Sequence, residues 1–128
     1  MKIQYSVALA FLAGIGVGAT ALQTLHAQAT PPVYLISEID VSNVDAYTKE
    51  YVPVVRPILQ KLGGKLLGTS QTVTMLEGAP QKARVTINAY DSLEKAKAAR
   101  TSPEYLEARK IGDKYAKFRA YVVEGLPQ

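Results

Sequence analysis

The sequence predicts an α+β domain in the order strand, helix, strand, strand, helix, strand, and three observations predict it. Apolar residues recur at intervals of three and four from Val44 to Leu62, the stripe of an amphipathic helix. Capping signals at Asp91 to Glu94 and at Ser102-Pro103-Glu104 open a second helical region. Four runs rich in β-branched and aromatic residues, Val33 to Ile39, Lys65 to Glu77, Ala83 to Tyr90 and Lys117 to Gly125, flank these helices.

The chain begins with a segment that does not belong to this domain. Lys2 precedes an apolar run from Val7 to Leu22, which gives way to a polar patch ending in Ala27-Gln28-Ala29. That is the charged start, apolar centre and A-x-A cleavage site of a secretory signal. A membrane span needs roughly 20 predominantly apolar residues, and this run is shorter and broken by Gly14, Gly16, Gly18 and Thr20. The reading is a cleaved signal peptide over 1–29, the alternative being an uncleaved N-terminal anchor, the one contact with a membrane. No cysteine near the cleavage site could carry a lipid. The expected location is the periplasm or the exterior. The three glycines follow no strand, which argues against a dinucleotide loop.

Residues 30–32, Thr-Pro-Pro, form a stiff leader to a domain spanning 33–126. The first strand, Val33 to Ile39, carries apolar side chains of both parities, so both faces are expected to be covered. Asp40 to Asn43 turns into the first helix, in which Pro53 and Pro57 predict two pieces or a kink. Gly63-Gly64 follows that helix and reads as its stop rather than as a phosphate loop, which would precede one. Gly78 to Lys82 has hairpin length, and Gly68 marks a bulge in the strand before it. The second helical region opens at Asp91 to Glu94, restarts at Ser102 and runs to about Tyr115. This order is the split βαβ pattern of a ferredoxin-like βαββαβ fold, a four-stranded antiparallel sheet with two helices on one face. The other face bears Tyr34 and Ile36, or their opposite-parity neighbours, and is too apolar to be left wet. A second copy is expected to cover it.

Composition excludes several chemistries. The formal charge of +4 falls to about +3 when Lys2 is removed, and the basic residues are dispersed with no aromatic interleaving, which argues against nucleic acid as a partner. The chain has no cysteine, and its single histidine, His26, lies in the predicted signal segment. The mature domain therefore lacks a Ser-His-Asp or Cys-His nucleophile, a histidine base, a zinc site of the usual ligands and a histidine-held haem. No cofactor and no metal are expected from its motifs.

A set of segments runs along nearly the whole domain: Tyr34-Leu35-Ile36 leading to Asp40-Val41, Ala46-Tyr47 with Tyr51 and Pro57, and Gly63-Gly64-Lys65. Leu76-Glu77-Gly78, Ser102-Pro103-Glu104-Tyr105 followed by Arg109, and Val123-Glu124-Gly125 complete it. In order and spacing, the stretch from Val33 to Gly125 resembles the DUF1330 family, a domain of unknown function in the dimeric α/β-barrel superfamily. Where relatives often carry bulky aromatics before the Ser-Pro-Glu-Tyr segment, this chain has Ala99 and Arg100. The resemblance implies a homodimeric α/β barrel more firmly than a reaction, since the superfamily includes monooxygenases, isomerases, haem-dependent peroxidases and members without known chemistry.

Two groups of side chains are candidates for function. With the first and last strands as antiparallel neighbours centred on Ile36 and Tyr121, Glu38 falls opposite Arg119. The pair would orient an acidic ligand or tune Glu38 as a general base, or serve as an ordinary cross-strand ion pair. Tyr47, Tyr51, Tyr105 and Arg109 lie on helix stripes aimed at the sheet. They suit a small aromatic or carboxylated ligand, or else core packing with polar tips. The expected function is an exported homodimer binding a small organic molecule between helices and sheet. The alternatives are a cofactor-independent isomerase, lyase or oxygenase acting on a small organic acid, and a non-catalytic interaction module.

Overall fold

The computed structural model describes residues 30–79 and 84–128. The predicted signal segment, its cleavage site and residues 80–83 of the hairpin loop lie outside the described residues. Four strands, β1 (Val33–Val41), β2 (Lys65–Ser70), β3 (Arg84–Tyr90) and β4 (Ala116–Glu124), form one antiparallel sheet in the order β2-β3-β1-β4. The helices α1 (Val44–Ala46), α2 (Val52–Lys61), α3 (Leu93–Thr101) and α4 (Pro103–Gly112) pack on one face. This is the ferredoxin-like arrangement that the element order predicts. Among the described residues no helix is long and apolar enough to cross a membrane.

Burial alternates along β1: Val33, Leu35, Ser37 and Ile39 are buried under the helices, whereas Tyr34, Ile36 and Glu38 face the other way. Val33 and Leu35 join Tyr90, Ala96 and Ala99 in one apolar cluster, and Ile39 joins Tyr47, Tyr51, Val55, Tyr105, Ala108 and Ala116 in another. Ser37 sits between them, so the core is divided at a polar position of its central strand. β1 pairs with β4 in the register expected from the sequence, Ile36 opposite Tyr121 and Glu38 opposite Arg119.

The prolines of the first helical stretch act through a change of helix type. Asn43 caps α1, and residues Tyr47–Tyr51 then form a π-helical turn before α2 begins. The wide turn places Pro53 in the first turn of α2, where its missing N–H has no partner to lose. Pro57 is accommodated inside α2. Gly63 stops that helix with φ +91°, and the Gly64 amide donates to the Leu59 carbonyl at 2.8 Å.

Beside shifts of one or two residues, such as β1 running on to Val41, three features differ from the sequence reading. β2 was expected to continue to Glu77 but ends at Ser70, because Ser70 already pairs with Val85, next to the start of β3. The residues that follow leave the sheet, and Leu76 is 96% exposed. Within β2 the register shifts between Leu66 and Gly68, which is the bulge predicted there. The N-cap of α3 is Ser92 rather than Asp91: the Ser92 hydroxyl accepts from the Lys95 amide at 3.2 Å, while Asp91 pairs with the Lys95 ammonium at 2.8 Å. Finally, α4 stops at Gly112, short of Tyr115, and Asp113 caps it.

Candidate functional site

The cleft between helices and sheet owes its character to an inversion in β3. This strand alternates Arg84, Thr86, Asn88 and Tyr90 with Val85, Ile87 and Ala89. Its pairing with β1 sets Arg84 beside Ile39, Thr86 beside Ser37 and Asn88 beside Leu35, on the helix-covered face. The polar parity is turned inward and the apolar parity outward, opposite to a strand that simply packs a core. A cavity of about 80 Å³ lies over this polar stripe. Ser37, Thr86, Asn88, Tyr47 and Tyr51 line it together with Arg84 and Arg100, and apolar walls come from Val52, Val55, Leu59 and Phe118. A second cavity of about 130 Å³ shares Ile39, Tyr47 and Arg84 with the first.

The π turn delivers Tyr47 and Tyr51 to the cleft side by side, with ring centroids 5.2 Å apart and both rings against Phe118. Burial pushes both phenols above the ordinary tyrosine range, Tyr51 the further, while the Arg84 charge partly offsets the effect at Tyr47. At neutral pH they are protonated and can donate hydrogen bonds. The Arg84 guanidinium stands 5.5 Å from the Tyr47 ring centroid and donates from Nη2 to the Thr69 hydroxyl at 3.2 Å.

Arg100 enters from the end of α3, where Ser102 closes that helix and caps α4, its hydroxyl accepting from the Tyr105 amide at 3.2 Å. Arg100 Nη2 donates to the Ser37 hydroxyl at 2.7 Å, and Nη1 donates to the Tyr105 hydroxyl. The same Tyr105 oxygen accepts from Arg109 Nη1 at 3.2 Å. Tyr105 and Arg109 thus stand behind the cleft, outside the cavity lining, and hold Arg100 in place. Arg109 also pairs with Asp113 at 3.0 Å and lies 3.6 Å from the Phe118 ring centroid.

Of the residues the sequence singles out, the structure brings Tyr47 and Tyr51 into the cavity and sets Tyr105 and Arg109 directly behind it. Glu38 and Arg119 pair at 3.0 Å on the opposite face of the sheet, with side chains 18% and 76% exposed. The sequence reading did not include Arg84, Arg100, Ser37 or Asn88 as site residues. The alternation of polar and apolar residues in β3 was the available signal, and Arg100 was visible as a cation just before the helix restart at Ser102-Pro103. Among the described residues no group of three or more carboxylate, histidine or cysteine side chains could hold a metal ion.

A family model described as "Domain of unknown function (DUF1330)" matches residues 32–126, most of the chain. The chain belongs to the DUF1330 family. No curated protein matches it. Among solved structures, this DUF1330 domain is similar to a protein of unknown function from Rhodopseudomonas palustris (TM-score 0.58, 22% identity, 85% of this chain and 94% of that one covered). It is also similar to SnoaB, a cofactor-independent oxygenase from Streptomyces nogalater (TM-score 0.57, 9% identity, coverage 77% and 96%). A third likeness is to an ethyl tert-butyl ether (ethd) family protein from Bacillus halodurans (TM-score 0.57, 19% identity, coverage 74% and 99%). At these identities the likeness establishes a common fold, and the DUF1330 cleft must be interpreted from its own side chains.

Proposed function

We propose that this DUF1330 protein is an exported homodimer that binds a small organic molecule in the cleft between helices and sheet. The observation that carries the reading is the inward polar stripe of β3 beneath a walled cavity. A strand that turns Arg84, Thr86 and Asn88 toward the helices and Val85 and Ile87 away from them gives up core stability, and a ligand-binding surface explains the exchange. Binding is favoured over base catalysis because the cavity lining offers hydroxyl, amide and guanidinium donors and no carboxylate. Glu38, the base considered from the sequence, faces away from it.

The second copy has its own argument. The outward face combines Tyr34, Ile36, Val85, Ile87, Tyr121 and Val123, with Tyr121 and Val123 still 40% and 46% exposed. An apolar patch of this kind, bordered by the Glu38–Arg119 pair, is a surface for association, and a second copy of the same face satisfies it symmetrically. Export rests on the signal pattern of residues 1–29, with cleavage after Ala29 and residence in the periplasm or outside the cell.

The test is thermal denaturation of the purified protein against a library of small acids, aromatics, amides and cofactors. Binding to the native state raises the midpoint, by about 2.7 kcal/mol of stability at a hundredfold excess over Kd. A reproducible shift that disappears when Tyr51 is replaced by Trp supports the cleft. A library without a single hit on a stable dimer would favour the interaction-module alternative.

A further inference from the structure

Resting on the cleft reading above, we propose that the ligand is a small carboxylic acid with an apolar body, its carboxylate held between Arg84 and Arg100. The cavity is lined by three arginines, Arg56 on the exposed side of α2 and Arg84 and Arg100 further in, with no aspartate or glutamate in its wall. Among the described residues the ion pairs are Lys61–Glu104, Lys95–Asp91, Arg109–Asp113, Lys110–Glu107 and Arg119–Glu38. Arg84 and Arg100 are in none of them.

Their hydrogen bonds leave the charge unanswered. Arg100 donates to the Ser37 and Tyr105 hydroxyls and Arg84 to the Thr69 hydroxyl, all neutral oxygens. The Nε atom of each is buried with no protein partner. Both residues are half-buried, so each charge is partly withdrawn from water without an anion, and the buried Nε donor without an acceptor adds to that cost. Two such groups at one cavity, in a domain that uses its acidic residues elsewhere, fit a site whose counter-ion arrives with the ligand.

The geometry supports a shared anion. Arg84 lies beside Ile39 in the sheet and Arg100 bonds to Ser37, the neighbouring inward position of the same strand. The two arginines therefore belong to neighbouring inward positions along β1, one by strand pairing and one by hydrogen bond, and both line the same cavity. A carboxylate accepts guanidinium donors in pairs, and its two oxygens can serve both arginines. Beyond the head, Val52, Val55, Leu59 and Phe118 offer an apolar wall, which selects an aliphatic or aromatic body over a sugar or a phosphate ester.

The test uses the full chain and a matched panel: straight-chain acids from acetate to octanoate, benzoate and 4-hydroxybenzoate, each beside its primary amide. Calorimetric titration is expected to show at least one acid binding about tenfold or more tighter than its amide, as befits hydrogen bonds to a charged group. Arg84→Gln and Arg100→Gln should each abolish that preference, whereas Lys110→Gln on the exposed side of α4 should keep it. Should the arginine variants fail to fold, the Nε–H resonances of Arg84 and Arg100 in the unmodified protein provide the second measurement, expected to shift with the acid and not with the amide. Acids and amides binding equally, or neither binding while another library molecule does, overturns the carboxylate proposal and leaves the cleft reading standing. An acid preference that survives both substitutions overturns the assignment to these arginines.

Discussion

Gly112 lies so close to Tyr51 that a β-carbon built on it would stand 2.9 Å from two carbons of the tyrosine ring, with Phe118 at 3.0 Å. The last turn of α4 is therefore the back wall against which the cleft tyrosine is held. By helix propensity alone, Gly112→Ala would stabilise the protein by up to about 1 kcal/mol. Overpacking against the ring is expected to reverse the sign, with a net loss of about 1–3 kcal/mol. Urea denaturation measures it directly, and a stabilised variant would mean that Tyr51 can move aside freely.

Ser37 stands at the division between the two apolar clusters, and Arg100 donates to its hydroxyl at 2.7 Å. Removing the acceptor in Ser37→Ala leaves a guanidinium donor without its partner, at an expected cost of about 1–3 kcal/mol. The thermal midpoint should fall, and a carboxylic acid bound to Arg100 should recover part of the loss. An unchanged midpoint would indicate that Arg100 finds another acceptor.

Burial raises the phenols of Tyr47, Tyr51 and Tyr90 above the ordinary tyrosine value of 10.0. A raised folded-state value means that the unfolded chain releases these protons first. The contribution to stability is complete below about pH 10 and declines as pH rises above it. Ultraviolet titration of the native protein should lack three phenols that ionise normally in urea. Full ionisation at the ordinary pH without unfolding would contradict the burial of these rings.

Val123→Asp places a charge on the outward face of β4, opposite Tyr34 and away from the cleft. Light scattering is expected to report a dimer for the unaltered protein and a monomer for this variant, because a paired apolar face does not tolerate an unpartnered carboxylate. A monomer in both cases would remove the argument for a second copy.

Glu38→Gln distinguishes binding from catalysis. Since Glu38 faces away from the cavity, affinity for a cleft ligand is expected to remain within about twofold of the original, well below the tenfold that corresponds to about 1.4 kcal/mol. If a substrate is found and its turnover collapses in this variant, the chemistry belongs to the outward face and to Glu38 as a base.

The element order, the helix stop at Gly63, the bulge near Gly68 and the pairing of Glu38 with Arg119 were legible from the sequence, because period, capping chemistry and strand parity are local properties of the chain. So were Tyr47 and Tyr51, whose spacing puts them on one stripe. Parity alone does not say which face of a strand meets the helices. In β3 an isolated reading would send Val85 and Ile87 inward, and the pairing with β1 instead sends Arg84, Thr86 and Asn88 there. The cleft was settled by that register and by the break at Ser102, which brings Arg100 to Ser37 across 63 residues of sequence. Those contacts are long-range, so their energy depends on the assembled sheet and helices together, and no local pattern encodes it.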